Sequence, residues 1–196
     1  MLKCRDAAPL CIQRIQESLI MSNKKFVSTK TYGNDRGLSC CFRQWRSTHS
    51  HCSLLHGYSI GIKLIFESET LDSRNWVMDF GGLKAFKEWS EWQFDHTTVV
   101  ALDDPHLPKF KELAKLGKQA EGGVLDLRIV EAVGCEKFAE LAYRTMNEIL
   151  EAYQQSQSWT HPDGRVFEAR YPVGQGVRLR SVEVFEHAGN SAIYEG

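Results

Sequence analysis

Tyr58-Ser59-Ile60-Gly61-Ile62-Lys63-Leu64-Ile65-Phe66-Glu67 places Tyr58, Ile60, Ile62, Leu64 and Phe66 on one parity and Ser59, Gly61, Lys63 and Glu67 on the other. That alternation is the pattern of a strand with one face in a core. His56 stands on the apolar parity just before it. Upstream, Phe26 to Thr31 and Gly37 to Trp45 are shorter strand candidates broken by Tyr32-Gly33-Asn34-Asp35, and they read as an antiparallel pair. Downstream, Asp79 can cap a helix whose apolar residues Leu83, Phe86, Trp89 and Trp92 recur every third position, ending near Phe94. A second helix opens at Gly134-Cys135-Glu136 and carries Phe138, Ala142, Met146, Ile149 and Tyr153 at helical spacing. Leu125 to Ile129 and Arg178 to Glu186 alternate again, while Gln154 to Gly176 reads as a polar excursion or hairpin. The order predicts an α+β fold with helices layered on one face of an antiparallel sheet.

The chain has 196 residues, 42% of them hydrophobic, which suits one domain of ordinary size. Its 24 Lys and Arg against 25 Asp and Glu give a formal charge of −1, so no broad positive field favours a nucleic acid. No apolar run approaches the roughly 20 residues that a membrane helix needs. Six cysteines without a secretory leader argue for reduced thiols and a cytoplasmic setting. Met21 opens a polar stretch that reads like a natural N-terminus, so residues 1–20 are expected to be a disordered extension or the product of an upstream start, and 21–196 the domain. Trp89, Trp92 and Phe94 are expected to leave aromatic surface that a second copy covers.

The chemistry concentrates in His49-Ser50-His51-Cys52-Ser53-Leu54-Leu55-His56-Gly57-Tyr58, where imidazoles and a thiol, the preferred ligands of Zn²⁺, crowd the mouth of a strand. His49, His51 and His56 are the candidate metal ligands, and Cys52 is the candidate reactive thiol because it alone of the six cysteines sits among imidazoles. A histidine on the inward parity of a strand needs a ligand or a hydrogen bond. Asp95-His96 pairs a carboxylate with an imidazole, the arrangement of a proton shuttle. Glu186 falls on the parity of Val182 and Val184, so it is a carboxylate turned toward apolar surroundings that needs a donor, from a ligand or from an arginine such as Arg43 or Arg180. Glu136 opens a helix, where the macrodipole accounts for most of its placement.

Cys52-x-x-x-His56-Gly57, then Asp79-Phe80, Asp95-His96, Glu136 and Glu186 in that order, resemble the 6-pyruvoyltetrahydropterin and 6-carboxytetrahydropterin synthase family from about residue 26 to 194. The resemblance implies a tunnelling fold: a four-stranded antiparallel sheet with two helices on one side, whose copies close into a trimer-based or hexameric barrel with sites between subunits. It implies 7,8-dihydroneopterin triphosphate as substrate and a carbon–oxygen lyase reaction. Zn²⁺ would bind the side-chain hydroxyls, Cys52 as thiolate would remove a proton, Asp95 and His96 would assist, and Glu186, with Glu136 in a lesser share, would bind the pterin. The spacing of Cys52 to His56 matches the 6-carboxy branch, which feeds queuosine and other deazapurines. Two positions depart from the family pattern. Tyr58 stands where the second histidine of His-Gly-His belongs, and the region of the first ligand falls on Cys41 or Phe42. Those departures keep open a divergent pterin-binding paralogue with an altered or lost metal site.

Overall fold

The computed structural model describes residues 24–33, 35, 38–117 and 122–196. The expectation for residues 1–20 lies outside these. The strands are β1 (Phe26–Tyr32), β2 (Ser39–Phe42), β3 (His56–Ser59), β4 (Gly61–Ser68), β5 (Thr97–Ala101), β6 (Leu127–Val130), β7 (Trp159–Thr160), β8 (Val166–Phe167), β9 (Arg178–His187) and β10 (Asn190–Glu195). The helices are α1 (Lys84–Phe94), α2 (Leu107–Ala114) and α3 (Cys135–Gln154). An antiparallel sheet runs β1-β4-β9-β10. A second sheet runs β3-β2-β5-β6 and is mixed: β2 pairs antiparallel with β3 but parallel with β5, which pairs parallel with β6.

The expected four-stranded antiparallel sheet is thus present, and the expectation of one sheet with two helices is corrected to two four-stranded sheets and three α-helices among the described residues. The stretch 58–67 is also not one strand. Ile60 is the break between β3 and β4, and its N–H bonds the Leu38 carbonyl at 3.1 Å while its side chain is fully buried. One apolar parity therefore serves both sheets. The expected pairing of 26–31 with 37–45 does not form, because β1 pairs with β4, Tyr32 opposite Ile62, and β2 leaves for the second sheet.

Asp79 accepts a hydrogen bond from the Gly81 N–H at 2.8 Å and starts a 3₁₀ turn (Phe80–Leu83) that runs directly into α1. α3 lies against β9 and β10 and beside α1. Between helices and sheets sit Phe42, Ile62, Leu64, Phe94, Phe138 and Val184, each fully buried. At roughly 1.5–3 kcal/mol per large side chain, this layer is the main stabilising term. Trp89 and Phe94 belong to it, at 3% and 0% exposure, so they leave no aromatic surface for a partner. Trp92 is half-buried under the Arg128 guanidinium, 4.3 Å from its ring. Among the described residues β1 and β10 are the edge strands of the larger sheet. Among the described residues no helix is long and apolar enough to cross a membrane.

Candidate active site

The β2–β3 hairpin sets the first part of the site. Its register places Phe42 opposite His56 and Cys40 opposite Tyr58, and the loop between closes when the Gln44 N–H bonds the Cys52 carbonyl at 2.8 Å. Ser50 caps a 3₁₀ turn (His51–Ser53), its hydroxyl accepting from the Cys52 N–H at 3.2 Å, which fixes where the Cys52 thiol stands. On β3 the parity rule puts His56 and Tyr58 on one face. They meet there: His56 Nε2 lies 2.5 Å from the Tyr58 hydroxyl, and Nδ1 lies 2.7 Å from the Leu54 carbonyl. A carbonyl can only accept, so Nδ1 carries the proton and Nε2 receives the Tyr58 O–H. Phe42 stacks on the Tyr58 ring with centroids 4.1 Å apart and holds it.

The second part comes from the end of β9 and the start of α3. Gly134 has φ +119°, a region closed to residues with a Cβ, and this turn delivers Cys135 and Glu136 as the first residues of α3. The Cys135 thiol hydrogen-bonds the Glu186 carboxylate; burial first, then the charges of Glu186 and Glu136, push that thiol up to about 12. Burial, then the charges of Glu186 and the cysteine thiols 52, 135 and 40, push the Tyr58 hydroxyl to about 12 as well. At neutral pH Tyr58 is therefore a phenol that donates and Cys135 a thiol that donates. Cys52, His56, Tyr58, Cys135, Glu136 and Glu186 share one electrostatic neighbourhood where β3, β9 and α3 converge.

Four of the residues singled out in the sequence, Cys52, His56, Glu136 and Glu186, are brought together here. Asp95 and His96 pair with each other, Nδ1 to Oδ1 2.7 Å, but elsewhere. The His96 N–H bonds the Ser39 carbonyl at 2.6 Å, at the opposite end of β2 from Phe42 and His56. Three residues of strand separate the ends, about 10 Å. His96 holds φ +54° and its ring is 85% exposed, so the imidazole of the pair meets solvent. Arg43, one of the two arginines suggested for Glu186, pairs with the buried Asp104 at 2.9 Å.

The three-histidine metal set is not assembled. His49 and His51 are exposed, and among the described residues no three His, Cys, Asp or Glu side chains are placed to hold a metal. His56 is engaged at both nitrogens, Tyr58 fills the neighbouring position, and Cys41 bonds the Thr98 hydroxyl at 3.3 Å. The donor set therefore does not fit the zinc that the resemblance implies. Two members of the site escaped the sequence reading. Tyr58 stood out only as a substituted position, and Cys135 carried no signal beyond its place between a glycine and the first acid of a helix.

Alkylation separates the thiols. With Cys135 and Cys40 both pushed to about 12, a weak electrophile at pH 8 meets almost no thiolate at either. Peptide mapping after brief iodoacetamide treatment is expected to show Cys52 modified well before Cys40 and Cys135. Early labelling of Cys135 would contradict its bond to Glu186.

An antiparallel and a mixed sheet bridged by one apolar parity, with a carboxylate at the end of β9 beside the start of α3, define an α+β protein of the tunnelling-fold class. A family model described as 6-pyruvoyl tetrahydropterin synthase matches residues 33–196, and the chain belongs to that family. It is 31% identical over 64 residues to a 6-carboxy-5,6,7,8-tetrahydropterin synthase of Aquifex aeolicus, a stretch that is 33% of this chain and 40% of that relative. Solved structures share the fold at low identity. An uncharacterized protein of Wolinella succinogenes, WS1659, superposes with a TM-score of 0.57 at 19% identity, over 88% of this chain and 98% of that one. The 6-pyruvoyl tetrahydropterin synthase of Plasmodium vivax gives 0.55 at 12% identity, over 89% and 99%.

Proposed function

We propose that this chain binds a reduced pterin at Glu186 and acts on 7,8-dihydroneopterin triphosphate as a carbon–oxygen lyase of the 6-carboxytetrahydropterin synthase type. The observation that carries the reading is the convergence of Glu186, Cys52 and Tyr58 on one electrostatic neighbourhood, where β3, β9 and α3 meet, in a chain of this family. The amino-pyrimidine edge of a pterin offers two adjacent N–H donors, and a carboxylate accepts both in a charge-assisted pair. Elimination then requires a base to take a proton from a side-chain carbon while the neighbouring C–O bond breaks and its electrons leave with the triphosphate; a 6-carboxy product further requires addition of water and loss of the outer two side-chain carbons as acetaldehyde. Cys52 as thiolate is the base in this reading, and Tyr58 donates to oxygen on the side chain by turning its single O–H from His56 Nε2 to the substrate as charge builds there. Asp95 and His96 stand at the far end of β2 from their own His56, and in this reading they serve the site of a neighbouring copy. A homo-oligomer follows, joined through the β1 and β10 edges.

No step is routed through zinc. The Tyr58–His56 bond specifically favours a second reading, a divergent paralogue that binds a pterin without the family's standard chemistry. Metal analysis and binding together test both. Purified protein is expected to carry well under one zinc per chain and to bind neopterin equally with and without EDTA. Stoichiometric zinc that is lost in His56→Ala would contradict the hydrogen-bonded histidine. Absence of any neopterin binding would remove both readings.

A further inference from the structure

We propose that a cavity between the end of β1 and the start of α1 binds an oligophosphate, and that its natural occupant is the triphosphate tail of the substrate. The cavity measures about 490 Å³. Tyr32, Leu38 and Leu83 form its apolar part, and Lys30, Lys84 and Lys87 surround it. Among the described residues Glu91 is the one acid on its wall, and Lys87 already holds it at 2.6 Å. Lys30 and Lys84 form no ion pair with a described carboxylate.

Lys30 is the residue that makes this more than a charged surface. In the β1–β4 register it pairs with Leu64, and Tyr32 pairs with Ile62, both of them fully buried. Paired residues of an antiparallel sheet share a face, so Lys30 lies on the helix-covered side, half-buried, with its ammonium 5.6 Å from the centre of the Tyr32 ring. The Tyr32 ring holds the ammonium at the cavity wall, where it is placed to meet an anion. Lys84 and Lys87 are three apart on α1 and present one face, and the start of that helix adds its own partial positive charge. Burial and the charge of Glu91 hold the Tyr32 hydroxyl well above its ordinary range, so it stays protonated and able to donate. Cations spread around a cavity of this size match several linked phosphates better than one small anion.

The cavity also lies where such a tail would be needed. Tyr32 pairs with Ile62, Ile62 pairs with Val184, and Glu186 is two residues further on the same parity of β9. From Tyr32 on the cavity wall, Glu186 thus stands two strand spacings across and two residues along, roughly 12 Å, toward the same end of the larger sheet. That the phosphates belong to a pterin rests on the function proposed above. That the cavity prefers an oligophosphate does not.

Calorimetric titration of the full chain with inorganic tripolyphosphate, ATP, neopterin and 7,8-dihydroneopterin triphosphate tests this, in the wild type and in the double variant Lys30→Gln, Lys84→Gln. Tripolyphosphate is expected to bind the wild type, to weaken as salt rises, and to lose at least about tenfold in affinity in the double variant, while neopterin binds both equally. Dihydroneopterin triphosphate binding far tighter than ATP identifies the substrate tail. Equal binding of ATP overturns that occupant, and tripolyphosphate that ignores the wild type or the double substitution overturns the site itself. Neopterin that binds neither protein, alongside lysine-dependent tripolyphosphate, leaves the anion site standing and removes the pterin reading.

Discussion

Glu186→Gln is expected to lose pterin affinity by about 2 kcal/mol or more, roughly 30-fold, with little change in folding stability. The substitution keeps the volume but turns one acceptor into a donor, and it would face an N–H of the pyrimidine edge. Within the folded chain the same side chain accepts from Cys135, and an amide oxygen can still accept that bond. Arg43, which could have made Glu186 a structural ion pair, is held by Asp104. Titration of both proteins with neopterin, beside their denaturant melts, separates the roles. Unchanged affinity with lowered stability would make Glu186 a structural residue.

Cys52→Ala and His96→Ala are each expected to lower turnover of 7,8-dihydroneopterin triphosphate by about 10³-fold, the scale for removing a proton-transfer group. Because Asp95 and His96 sit at the far end of β2 from His56, the two variants damage different surfaces of one chain. Unfolding the two variants together and refolding the mixture should restore activity that neither has alone, since some interfaces then combine an intact Cys52 with an intact His96. A mixture as inactive as its parts would place both groups in a single copy, against the fold described here.

The sequence made legible those elements whose two faces differ. β4, β9, α1 and α3 each show an apolar side and a polar side, and all four stand where their periods put them. β5 has no such contrast. Its five residues Thr97–Ala101 are all buried, held between two parallel neighbours, and a strand covered on both faces carries no alternation. The break at Ile60 was invisible for the opposite reason, because the apolar parity runs unbroken while the hydrogen bonds change sheets. Pairing partners are likewise not encoded by period, which is why β1 was matched with the wrong neighbour.

Within the site, Glu186 and Cys52 could be read from residue type and parity. Their proximity to Cys135 could not, since it depends on a glycine at φ +119° turning the chain into α3. Nor could the state of His56. Its inward parity demanded a partner, and the sequence offered a metal or a hydrogen bond; the partner in the structure is the tyrosine two residues on.

The most direct test of the account is product analysis by mass spectrometry after the purified chain meets 7,8-dihydroneopterin triphosphate. The account predicts consumption of the substrate, release of tripolyphosphate and appearance of a tetrahydropterin, all abolished in Cys52→Ala. Substrate recovered intact from wild-type protein that nevertheless binds neopterin would contradict the lyase and leave a pterin-binding paralogue.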